Sequence, residues 1–306
     1  MWECRCFSLM RPSFAYKSRI FIMTTTATNV LHIAAFSNSN VGGNPAGVWI
    51  GDTLLPSADM ARIAAEVGFS ETVFASPTGD KSFRVRYFSP ESEVPFCGHA
   101  TIALGAALAC QQGDGIFALT LNDATISVEG RNCDEGYYVA LQSPATHSQP
   151  APSDLVLDAL NLFGLSYDDL DNTLPPGLAH GGADHLVLAL RSRATLAAMK
   201  YDLAAGRKLM QSAGLVTIVL VFAESPQRFH TRNPFASGGV YEDPATGAAT
   251  AALAGYLRDL DWPHGGVIDV VQGDDMGIPS RLRAEISNVH GSSIRVSGMA
   301  RIMTDV

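Results

Sequence analysis

Apolar residues in this chain alternate or recur at helical spacing in short stretches, and the stretches divide it into brief strands with a few helices between them. Residues 30–36 read as a strand, 37–43 as a loop rich in Ser, Asn and Gly, and 48–50 as a second strand. Met60, Ile63, Ala64 and Val67 share one helical face between Ser57, the expected N-cap, and Gly68, the expected stop. Phe83, Val85 and Tyr87 alternate with Arg84 and Arg86, the pattern of a half-buried strand that Ser89-Pro90 interrupts. Short strands are expected at 117–121, 125–128 and 137–141, and the proline-rich run 144–152 reads as a linker. Beyond it the pattern predicts helices over 154–163 and 202–212, and strands at 185–190, 215–222, 228–232, 267–271, 281–286 and 294–297.

Two segments break the rule that a helix keeps one wet face. Residues 100–108 and 249–257 are apolar or small nearly all round, so each predicted helix must be wrapped by sheet. They belong to a repeat: E-V-P-F-C-G-H-A-T-I-A-L-G-A-A-L at 93–108 matches E-D-P-A-T-G-A-A-T-A-A-L-A-G-Y-L at 242–257, with eight of the sixteen positions identical. A spacing of about 150 residues is too long for a solenoid, so the repeat marks two domains of common plan. The expected architecture is α+β, two pseudo-symmetric domains at 24–143 and 144–306, each a curved sheet or barrel around a central helix.

Composition narrows the class. With 306 residues, 47% hydrophobic and 17% charged, the chain can bury two cores, and it lacks the long apolar run of a membrane span. The net charge of −9 and scattered basic residues argue against nucleic-acid binding. Five cysteines without C-x-x-C or metal-ligand spacing indicate neither a disulfide framework nor a metal site, and the body of the chain reads as cytoplasmic. Residues 1–23 differ: Arg5, Arg11, Lys17 and Arg19 face a single acid, Glu3. They read as a disordered or non-native extension, with an organellar transit peptide as the alternative.

Reactive side chains decorate the repeat unequally. Cys97 and His99 flank Gly98 in the first copy, Asp243 precedes Gly247 in the second, and Glu71 stands at the mouth of a predicted strand. Each glycine opens a helix whose unpaired N–H groups and positive dipole end suit an anion. If the copies face one another, both helix starts hold a carboxylate or an enolate-like charge in one cleft, without a cation. Taken singly, Glu71 reads equally as a solvated strand-end charge, His99 as a hydrogen-bonded core residue, Asp243 as a turn or cap acid, and Cys97 as a small buried hydrophobe.

The motifs G-G-N-P-A-G-V at 42–48, F-S-E-T at 69–72, V-R-Y-F-S-P-E-S-E-V-P-F-C-G-H-A-T at 85–101, E-D-P-A-T-G at 242–247 and Q-G-D-D-M-G-I-P-S at 272–280 together resemble the phenazine-biosynthesis-like isomerase family (PhzF-like), over nearly everything after Met23. That resemblance implies the diaminopimelate epimerase fold, an active site between the domains, no cofactor, no metal and a homodimer, with a final strand able to return to the first domain. It also implies that Glu71 is the general acid/base, that His99 and Asp243 orient substrate, and that Asn44, Cys97, Gly98, Thr246, Gly247 and Ala248 contact it. Ala248 departs from the serine frequent there, Ile278 replaces a frequent arginine, and the second thiol of a two-cysteine epimerase is absent.

Three readings follow. The first is a cofactor-independent isomerase moving a proton and a double bond within a small carboxylated, cyclic or hydroxylated or aminated substrate, with Glu71 as shuttle. The second is an amino-acid epimerase or racemase with Cys97 as base, a thiolate being favoured at a helix N-terminus. The third is a non-catalytic protein that binds small acids in the same cleft.

Overall fold

The structure, a computed structural model, describes residues 30–304. The leader expected as an extension at 1–23 lies outside the described residues. The first half of the chain forms β1 (Leu31–Ser37), β2 (Asn44–Ile50), α1 (Ser57–Val67), β3 (Thr72–Gly79), β4 (Ser82–Phe88), β5 (Glu93–Val94), α2 (Gly98–Gln112), β6 (Gly115–Thr120), β7 (Thr125–Cys133) and β8 (Gly136–Ala145). The rest forms β9 (His147–Pro150), α3 (Ser153–Phe163), β10 (Gly177–His180), β11 (Asp184–Ala189), α4 (Arg193–Ala197), α5 (Leu203–Ser212), β12 (Thr217–Ser225), β13 (Arg228–Phe235), β14 (Val240–Asp243), α6 (Gly247–Asp259), β15 (Val267–Gln272), β16 (Ser280–Glu285) and β17 (Ser293–Ile302).

Strand pairing closes a barrel in the order β1, β2, β3, β4, β6, β7, β8, β17 and back to β1. A second curved wall runs β9, β10, β11, β12, β13, β15, β16, β17. The last strand serves both: Arg295 to Ser297 lie opposite β16, and Met299 to Ile302 lie opposite β1. The two halves share a plan in which helices bridge parallel neighbours. α1 links β2 to β3 and α2 links β4 to β6, as α4 and α5 link β11 to β12 and α6 links β13 to β15. The repeat is also mirrored in ion pairs: Arg86 Nε donates to Glu93 at 2.8 Å, and Arg232 Nε to Glu242 at 2.9 Å.

The helices without a polar face lie inside these walls. Every residue of α2 from Gly98 to Ala109 is buried, packed against β1, β2, β7 and β8. α6 is buried from Gly247 to Arg258 against β9, β10, β16 and β17. The one cation in that stretch, Arg258, is satisfied by Thr146 Oγ1 at 2.8 Å and Ser292 O at 3.1 Å. Truncating Leu104 or Leu108, both fully buried, to alanine costs about 2–5 kcal/mol. Amphipathic helices cover the outside: α1 sets Met60 and Ile63 on Trp49, Phe74 and Phe88, while α3 and α5 set Leu160 and Met210 over Leu188 and Leu220. Among the described residues no helix is long and apolar enough to cross a membrane.

Two local expectations fail. Ser57 is the first helical residue rather than the cap, because Pro56 precedes it in extended geometry and no side chain caps the helix. The proline-rich run at 144–152 is not a free linker: β8 continues to Ala145, and β9 pairs with β10, the prolines leaving enough N–H groups to make these ladders.

Candidate active site

The starts of α2 and α6 touch. A Cβ on Gly98 would lie 2.8 Å from Ala248 N and 2.9 Å from Gly247 Cα, and one on Gly247 would lie 3.2 Å from Gly98 Cα and from Phe36 Cζ. At Gly98 only glycine lets the first turns approach so closely, and at Gly247 a Cβ would press on the same contact. The N–H groups of those first turns therefore point into one region. Tyr87 and Thr101 fix the α2 end: the Tyr87 and Thr101 hydroxyls meet at 2.7 Å, and Thr101 Oγ1 donates to Cys97 O at 2.7 Å.

Glu71 enters this region from the turn between α1 and β3, anchored because Gly47 N donates to its backbone oxygen at 3.2 Å. Its side chain is buried, and His99 Nε2 lies 3.3 Å from its Oε2. That approach is too poorly aligned for a hydrogen bond, so Oε2 has no partner among the described residues. The other contacts of the His99 ring are Ser70 Oγ, 3.3 Å from Nε2, and Cys97 Sγ, 3.3 Å from Nδ1. A chain of neutral groups thus runs from the thiol through the imidazole to the edge of the carboxyl.

Asp243 arrives from the opposite half, at the end of β14. Asn44 Nδ2 donates to Asp243 Oδ1 at 2.6 Å and to Ala245 O at 2.9 Å, and Thr246 Oγ1 donates to Asp243 Oδ2 at 2.6 Å. Gln272 completes the cradle: its Nε2 donates to Asp243 O at 2.6 Å and its Oε1 accepts from Thr246 N at 3.1 Å.

Burial sets the proton affinities. It raises Glu71 to about 7, against weaker pulls from Ser70 and Cys97. Asp243 is raised to about 8 by burial first and by the negative charge of Glu71 second, with Thr246 and Asn44 opposing. His99 falls to about 3 because burial penalises its cation. The thiol of Cys97 is pushed well up by burial and then by Glu71, outweighing the amides of the helix start that were expected to favour a thiolate.

Glu71, Cys97, Gly98, His99, Asp243, Thr246, Gly247 and Ala248 line one cavity of about 40 Å³. Asn44 stands behind it, reaching the cavity through Asp243. Among the described residues the wall also includes Phe96, Ala183, His185, Val216, Thr217 and Phe235, and no Lys or Arg. A wider depression of about 550 Å³ near Trp262 and His264 lies away from the paired helix starts and holds none of these acids. Glu71, Cys97 and His99 offer ligand atoms within 4.8 Å of one another. A second such group, His147, His180 and Asp184, sits on the sheet surface outside this cavity.

Sequence reading missed Ser70, Gln272 and His185. Ser70 and Gln272 lie inside quoted motifs, F-S-E-T and Q-G-D-D-M-G-I-P-S, so a signal was present; His185 sits in an ordinary apolar strand and carries none.

Two sheet-wrapped helices meeting end to end place this chain in a fold that solved structures share. A predicted epimerase from Pseudomonas aeruginosa superposes with a TM-score of 0.79 at 23% identity, covering 90% of this chain and 96% of that one. A hydroxyproline epimerase from Agrobacterium vitis superposes with a TM-score of 0.62 at 11% identity, covering 90% and 88%. In sequence, trans-2,3-dihydro-3-hydroxyanthranilate isomerase of Pseudomonas aeruginosa is 32% identical over 276 residues, 87% of this chain and 94% of that protein. The chain belongs to the phenazine biosynthesis-like protein family (PhzC-PhzF), whose model matches residues 33–305. It is an isomerase of that family.

Proposed function

We propose that this isomerase moves a proton, and with it a double bond, within a small cyclic or hydroxylated or aminated carboxylic acid, using Glu71 as a one-group shuttle. The carrying observation is Glu71 Oε2: buried, without a hydrogen-bond partner among the described residues, and on a carboxyl whose proton affinity lies near neutrality. Such a group is basic enough to take a carbon-bound proton and acidic enough to return it. The carboxylate of Glu71 removes the proton, the electron pair passes into the conjugated acid, and the same proton is delivered to another carbon. The first-turn amides of α2 and α6 hold the acid and the charge that develops on it. His99, neutral in this site, orients the substrate; Asp243, largely protonated near neutrality, supplies a second polar contact.

A racemase with an opposed base is less well supported. Glu71 precedes β3 as Val216 precedes β12, so valine occupies the mirror position, and Cys97 keeps its proton. The substrate named for the Pseudomonas relative, trans-2,3-dihydro-3-hydroxyanthranilate, fits this chemistry and is the first compound to test. In deuterium oxide, that compound and related cyclic amino and hydroxy acids are expected to exchange or isomerise with the wild-type protein. Glu71→Gln is expected to abolish both while circular dichroism stays unchanged. Undiminished exchange in Glu71→Gln overturns the reading.

A further inference from the structure

His185 lies on the cavity wall contributed by β11 and is 0% exposed. Its Nδ1 is 2.7 Å from Thr217 Oγ1, directly across the parallel β11–β12 pair, whereas its Nε2 has no partner among the described residues. Burial lowers the ring to about 3, so it is neutral throughout the physiological range. A neutral imidazole carries one hydrogen, and the two tautomers leave different debts. With the hydrogen on Nδ1, donated to Thr217, the threonine hydroxyl hydrogen and the Nε2 lone pair are both left unused in a buried place. With the hydrogen on Nε2, Thr217 donates to Nδ1, and a single N–H remains without an acceptor. Thr217 Oγ1 makes no other hydrogen bond among the described residues, so the second arrangement leaves fewer buried groups unpaired.

We infer that His185 presents a fixed, uncharged Nε2–H donor to the substrate, forming a subsite for a second oxygen, a hydroxyl or carbonyl, beyond the carboxylate held at the helix starts. Among the described residues the cavity offers no Lys or Arg for such an oxygen, and the neighbouring wall residues Phe96, Ala183, Val216 and Phe235 have no polar side chain to share the task. The chemical class is therefore an oxygenated carboxylic acid rather than a plain apolar one. The inference rests on the proposed function only for the seat of the carboxylate. The tautomer stands independently of it.

Two measurements on the full chain test the subsite. Nitrogen-15 spectra of imidazole-labelled protein without ligand are expected to show His185 as the Nε2–H tautomer between pH 5 and 8, and Thr217→Val is expected to mix the tautomers. An Nδ1–H tautomer or an imidazolium in wild type overturns the inference. Calorimetry with benzoate and 3-hydroxybenzoate is expected to show the hydroxy acid bound about five- to tenfold tighter. His185→Leu is expected to remove that preference while benzoate binding persists, and His185→Gln, which retains a donor, to keep part of it. Equal binding of the two acids by wild type overturns the oxygen subsite and leaves the carboxylate seat standing. Binding of neither acid overturns the carboxylate seat and the subsite with it.

Discussion

Asn44 Nδ2 donates to Asp243 Oδ1 at 2.6 Å, joining residues 199 positions apart across the junction of the two halves. The same nitrogen reaches Ala245 O, so one amide holds both the candidate acid and the approach to α6. Asn44→Ala is expected to destabilise the protein by about 1–3 kcal/mol, because buried acceptors lose their donor. Since Asn44 lowers the proton affinity of Asp243, the same variant should move the alkaline limb of any activity profile upwards. Denaturant titration and a pH–rate series check the two effects separately.

Glu71 must be ionised to accept a proton, so activity should fall as pH drops through about 7. Ionisation of Asp243 places a second negative charge in the cavity, so activity should fall again above about 8. The expected profile is a narrow bell whose limbs belong to the interacting pair. His99 and His185, both lowered to about 3, contribute no limb near neutrality. A rate independent of pH from 6 to 9 would contradict this assignment.

The raised acid also costs stability. With a folded value of about 7 against an ordinary 4.5, Glu71 binds more protons in the native state than in the unfolded one. Its contribution is therefore intact below about pH 4.5 and declines as pH rises to about 7, reaching about 3 kcal/mol of loss. Glu71→Gln is expected to be more stable than wild type at pH 8, with the difference shrinking towards pH 5. Paired melting curves at the two pH values test the sign.

Gly98→Ala should be the more damaging of the two helix-start substitutions. Its Cβ would meet backbone at 2.8 Å, whereas that of Gly247→Ala meets its nearest atoms at 3.2 Å. Overpacking of this kind costs about 1–3 kcal/mol, and the helix starts would separate with loss of acid binding. Equal melting temperatures for the two variants would count against the end-to-end contact.

Cys97→Ala is expected to retain most proton exchange, because a thiol that burial holds protonated is not the base. Loss of exchange in this variant, with protection of the wild-type thiol by substrate, would favour the racemase reading instead.

The two buried helices were the most legible part of the chain, since a helix without a polar side has only the interior to occupy. Their glycine starts and the unequal acids followed from the repeat. The Arg86–Glu93 pair was hidden because Arg86 looked like the wet side of an alternating strand, and nothing in the strand at 228–232 announced the Arg232–Glu242 pair. His185 was hidden for a related reason: alternation assigns a face, and cannot tell an inward face against core from one lining a cavity. Ser57 misled because a good capping residue followed a proline that itself ended the extended chain.

The sharing of β17 also governs the order in which the molecule can be made. Ile33 to Ser37 of β1 wait for partners at Met299 to Ile302, which a ribosome delivers only after both buried helices and the strands between them have emerged. The nascent first half carries an open seam until then, an exposed pair of strand edges that invites holding by chaperones and makes completion of both halves a late, joint event.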